Sequence, residues 1–89
     1  MNMAQKLTIV KSLIIATVKH VSQFTPSLKQ GECTDIEAGI LTNQFLQTPA
    51  CDFMVSSIKY HLKDKGIQVE TSFEPIIGES YHKLKIEVI

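Results

Sequence analysis

At Gly66 the spacing of apolar residues changes, and this constrains the fold more than any other feature of the chain. Upstream of it, apolar residues recur every three or four positions. Downstream they recur every second one. The first spacing follows the turn of a helix and the second follows the pleat of a strand. Helices followed by strands in 89 residues make one small α+β domain, residues 1–89. Hydrophobic residues are 44% of the chain and charged residues 20%, which suits a folded core rather than disorder. A core of this size is modest, so a homodimer is one route to added stability.

Three helices are expected before Gly66. From Gln5 to Phe24, Leu7, Val10, Leu13, Ile14, Val18, Val21 and Phe24 form one apolar face. A second stripe, Ile9, Leu13, Ala16 and His20, runs along its flank and is the candidate dimer seam; a broad buried face is the alternative. Thr25 to Asp35, with Pro26 and Gly31, reads as a loop. Thr34 and Glu37 have the spacing of a capping box and predict a second helix running to about Leu46. Thr48 and Pro49 suit the start of a third helix, and Gly66 suits its left-handed stop.

Two half-buried antiparallel strands are expected after Gly66. Ile67, Val69, Thr71 and Phe73 alternate with Gln68, Glu70 and Ser72; His82, Leu84, Ile86 and Val88 alternate with Lys83, Lys85 and Glu87. Pro75 and Gly78 mark the turn between them. Glu70 and Glu74 are expected opposite Lys83 and Lys85.

The expected architecture is therefore a three-helix bundle followed by a C-terminal antiparallel β-hairpin. From Thr34 to Ile89, the closely spaced second and third helices with a hairpin directly behind them resemble the winged helix-turn-helix superfamily. The resemblance lies in element order rather than in a motif. It implies a winged-helix-like domain, the third helix in a DNA major groove and the hairpin as a wing.

Charge argues differently. Nine lysines balance nine acids and there is no arginine. Nucleic-acid binding rests on neutralising phosphates, and a bidentate arginine is the commonest base contact. The chain has no Gly-rich phosphate loop, no HExxH and no paired CxxC. His20, His61, His82, Cys33 and Cys51 show none of the short spacings of a metal site, so no metal or cofactor is expected. Cys51 lies on the apolar face of the third helix and reads as a structural thiol, and no catalytic constellation is apparent. A non-enzymatic protein is expected. With lysines interrupting the N-terminal apolar run, the chain reads as cytoplasmic, with neither signal peptide nor membrane span.

The third helix carries the most informative anomaly. On a helical wheel Cys51, Met54, Val55, Ile58 and Leu62 cluster as core, while Phe53, Ser56, Lys59, Tyr60 and Lys63 fall outside that cluster. Phe53 and Tyr60 are seven apart and therefore in line. Ile76 and Ile77 sit at the hairpin tip, where polar residues are usual. Exposed aromatics and aliphatics of this kind mark interfaces. The first functional expectation is a small regulatory or accessory protein that contacts another protein through Phe53, Ser56, Lys59, Tyr60, Lys63, Ile76 and Ile77. The alternative, implied by the resemblance, is a dimeric DNA-binding regulator using Ser56, Ser57, Lys59, Tyr60 and Lys63.

Overall fold

The helical period upstream of Gly66 builds two long helices and one short one. The strand period downstream builds two strands, and a third strand comes from a segment expected to be helical. The computed structural model describes residues 2–23, 31 and 33–89. In chain order the elements are α1 (Met3–Gln23), β1 (Cys33–Thr42), α2 (Asn43–Leu46), α3 (Pro49–Asp64), β2 (Val69–Pro75) and β3 (Tyr81–Val88). The three strands form one antiparallel sheet in the order β1-β3-β2. Phe24 and most of the expected loop, through Gln30 and at Glu32, lie outside the described residues.

Each long helix starts and stops for a local reason. At the start of α1, Asn2 Oδ1 accepts from the Gln5 N–H and Gln5 Oε1 accepts from the Asn2 N–H. This reciprocal exchange satisfies two donors that the helix itself leaves unpaired. At the start of α3, Thr48 Oγ1 accepts from the Cys51 N–H, and Pro49 occupies the first turn, where its missing N–H costs nothing. At its end, Gly66 adopts φ 84°. Its N–H reaches the Lys63 carbonyl and the Ile67 N–H reaches that of Leu62, the paired bonds of a Schellman stop.

The second helix is the main departure from expectation. Residues 33–42 form strand β1, and only a single turn of helix, α2, follows. Thr34 and Glu37 do not form a capping box: they stand opposite Ile86 and Lys83 on the central strand. The segment alternates, with Thr34, Ile36, Ala38 and Ile40 partly buried and Cys33, Asp35, Glu37 and Gly39 exposed. That period-two pattern suits a sheet edge with one wet face. Pairing with β3 outweighs the local capping signal. The bundle of three helices is therefore two helices and one turn, and the expected hairpin is a three-stranded sheet with β3 at its centre. Between the Glu37–Lys83 and Thr42–Tyr81 pairs only His82 faces residues 38–41, so β1 bulges there. His82 Nδ1 donates to the Leu41 carbonyl at 3.2 Å, pinning the bulge.

The core lies between the helices and the inner face of the sheet. α1 contributes Val10, Ile14 and Val21; α3 contributes Cys51, Met54, Ile58 and Leu62; the sheet contributes Val69, Leu84 and Ile86, with Leu41 and Phe45 closing one end. The expected α3 core face is thus the observed one, with Val55 half-buried against it. Leu7, expected on the α1 core face, is instead 44% exposed. Thr17 is fully buried on α1. Among the described residues no helix is long and apolar enough to cross a membrane.

Candidate interaction surface

The aromatic pair of α3 stands in solvent. Phe53 is 54% exposed and Tyr60 69% exposed, on a flank that neither α1 nor the sheet covers. Seven residues of helix place them about 10 Å apart along the axis. The Tyr60 ring meets the His61 ring edge-on, with centroids 5.5 Å apart and planes at 75°. Ser56, Lys59 and Lys63 are also exposed, while Ser57 is half-buried.

At the β2–β3 turn, Ile77 is completely exposed and Ile76 half-buried. Gly78 takes φ 86° and the Glu79 N–H reaches the Ile76 carbonyl, which closes the turn and leaves Ile77 projecting. The turn lies at a definite end of the molecule. Tyr81, just after it, pairs with Thr42, which caps α2 immediately before α3. The turn therefore belongs to the end of the sheet where α3 begins, on the Phe53 side rather than the C-terminal side of that helix.

The stripe named as a dimer seam divides in two. Ile9 and Ala16 are exposed, whereas Leu13 packs against the core and His20 is half-buried, its Nε2 3.1 Å from Thr34 Oγ1 on β1. Leu13 and His20 are thus occupied within the chain, and Ile9 and Ala16 are not buried by it.

The outer face of the sheet is charged. Across the three strands its rows are Cys33–Glu87–Glu70, Asp35–Lys85–Ser72 and Glu37–Lys83–Glu74. Lys83 reaches Asp35 at 3.3 Å and Glu74 at 3.6 Å, and Lys85 reaches Glu74 at 3.4 Å. Glu74 stands opposite Lys83, as expected, and also reaches Lys85 on the diagonal. Glu70, expected opposite a lysine, stands beside Glu87 instead. The hydrogen bond and charge of Asp35 hold the Lys83 ammonium above the ordinary lysine range.

Charge is therefore segregated between layers, a feature that linear counting along the chain hides. The three strands hold five carboxylates against two lysines, a net charge of −3. α1 has three lysines and no acid. α3 with its cap Lys65 has three lysines against Asp52 and Asp64, so the helical layer carries +4. Five of the seven large exposed hydrophobics, Leu7, Ile9, Ile15, Phe53 and Tyr60, lie on this positive layer. Ile15, 68% exposed, is among those that the periodicity of the sequence did not single out.

No metal centre assembles: among the described residues no group of three or more His, Cys, Asp or Glu is placed to hold an ion. Cys51 is buried and its thiol is raised, first by burial and then by Asp52, the opposite of what a nucleophile needs. Comparison with family models, with curated proteins and with solved structures finds no match to this chain.

Proposed function

We propose that this chain is a non-enzymatic interaction module, a small regulatory or accessory protein whose partner is another protein. The partner docks where the outer flank of α3 meets the β2–β3 turn. Phe53, Tyr60 and Ile77 are its anchors, and Ser56, Lys59, Lys63 and Ile76 form the surround. The observation that carries this reading is the exposure of two aromatics in line on one helix together with a fully exposed isoleucine at the β2–β3 turn. Leaving them wet forgoes a stabilisation of about 1.5–3 kcal/mol for each such side chain on burial. Aromatic anchors of this type dominate binding energy at interfaces.

The direct passage from α3 into a β2–β3 hairpin supports a winged-helix-like reading of the domain by element order. Fold likeness alone does not assign a ligand.

A second reading is favoured by one observation, the positive helical layer. In it α3 enters a DNA major groove with Ser56, Ser57, Lys59, Tyr60 and Lys63, and the hairpin contacts the backbone. The two readings separate in a salt titration with random-sequence duplex DNA. A DNA reader binds at low salt and weakens steeply as salt rises. Absence of binding at low salt removes the DNA reading. For the protein reading, Tyr60→Ala and Ile77→Asp keep the fold by circular dichroism and lose the proteins that wild type captures by affinity purification. Equal capture by both variants and wild type overturns it.

A further inference from the structure

Among the described residues, nothing covers the outer groove of the two-helix layer. α1 and α3 pack against each other over the sheet, and α2, a single turn, supplies no third helix to lie in their seam. On the solvent side a groove of about 550 Å³ runs between them. Ile14, Ile15 and Val18 form its floor; Lys19, His61 and Lys65 stand at its rim. Among the described residues no acid lines it. Ile15 is 68% exposed there, a large apolar side chain held in water. The groove is on a different side of α3 from Tyr60: His61, which borders it, is about 100° further around the helix.

We infer that this groove receives an acidic amphipathic helix from a partner protein. The floor supplies an apolar strip, and the rim is cationic, with Lys19 on α1 and Lys65 at the end of α3. A helix with leucines at three- and four-residue spacing, flanked by glutamates, is complementary to both features. The lining of α1 runs from Ile14 to Gln23, about 13 Å of helix, which matches a contact of two to three turns. The open side of the groove decides against a small ligand, since pockets for such ligands bury most of the molecule. A second copy of this chain does not fit either. α1 has no acid, α3 has only Asp52 and Asp64, and the remaining carboxylates of the described elements lie on flat strands. The occupant adds a third helix to the layer formed by α1 and α3.

The probe is a fluorescein-labelled 18-residue peptide with leucines on one helical face and glutamates beside them. One control exchanges every glutamate for lysine, and another exchanges every leucine for serine. Fluorescence anisotropy on the full chain is expected to show saturable binding of the first peptide alone. Ile15→Asp and Lys19→Glu, both at exposed positions, are expected to weaken it at least tenfold while the circular dichroism spectrum is unchanged. Ile77→Asp, at the β2–β3 turn, leaves it intact, so this site stands or falls separately from the α3–turn surface. Lack of binding, equal binding of the lysine or serine control, or wild-type affinity in Ile15→Asp and Lys19→Glu overturns the inference.

Discussion

His20 and Thr34 share a hydrogen bond of 3.1 Å that ties the C-terminal half of α1 to the first residues of β1. Local spacing alone puts His20 in a dimer seam and Thr34 at a helix cap. Together they are a contact between layers. Thr34→Val keeps a β-branched residue that a strand accommodates and removes the hydroxyl. The expected cost is about 1 kcal/mol, read as a lower urea midpoint with an unchanged m-value. Helical signal in the far-ultraviolet is expected to stay constant. Backbone chemical shifts of residues 33–42 are expected to carry the strand sign; helical shifts there, or helix lost in Thr34→Val, would count against the β1 assignment.

What was legible in the sequence follows from how local its cause is. Thr48, Pro49 and Gly66 delimit α3 through bonds within a few residues, and the sequence reading places that helix, its core face and the following strands well. β1 is different. Its stability comes from Glu87, Ile86, Lys85, Leu84 and Lys83, some fifty residues away, and a propensity argument does not see them. One signal was present: Ile36, Ala38 and Ile40 alternate with Asp35, Glu37 and Gly39. A four-residue capping signature masked it. The aromatic flank of α3 was legible because helical geometry fixes it. The layer charges were not, because residues of the acidic face come from three strands separated in sequence.

The two cysteines are expected to behave differently towards a thiol reagent. Cys33 is exposed, but desolvation by its strand surroundings raises its thiol first, and Glu87, whose Oε1 lies 3.6 Å from Sγ, raises it further. At pH 7.5 it should react completely but more slowly than free cysteine, and Glu87→Gln should speed it several-fold. Cys51, 2% exposed, should react only as the domain opens. In a urea series its labelling is expected to follow the loss of far-ultraviolet signal. Rapid labelling of both thiols in native buffer contradicts the packing of α3.

Ile58 and Tyr60 lie two positions apart on α3 and should report opposite things. Ile58 is fully buried between α1 and the sheet, so Ile58→Ala removes methylene contacts and leaves a cavity. A loss of about 2–5 kcal/mol is expected, a large share of the stability of a domain this size. Tyr60→Ala, at an exposed position, should change stability by about 0.5 kcal/mol or less. Thermal unfolding of the two variants checks this, and comparable losses in both would show that Tyr60 is packed.

Lys83 is the centre of the outer sheet face, bonded to Asp35 on β1 and Glu74 on β2, so it bridges both edge strands from the central one. Its ammonium is held above the ordinary lysine value of about 10.4, chiefly by the hydrogen bond and charge of Asp35. A folded-state pKa raised above the unfolded one adds stability that is complete below the unfolded value and disappears as pH rises through the folded value. Lys83→Met is therefore expected to have a lower urea midpoint than wild type by an amount that stays level from about pH 7 to pH 9. The difference should shrink only above the ordinary lysine range, about pH 10.4, as wild type gives up its proton. Half-molar salt should reduce the difference at every pH, because the side chains are partly exposed and screened. Asp35→Asn should remove most of what Lys83→Met removes, and the double variant should add little to either. A difference that persists undiminished well above the ordinary lysine range and in half-molar salt would show that Lys83 acts through packing of its stem rather than through its charge.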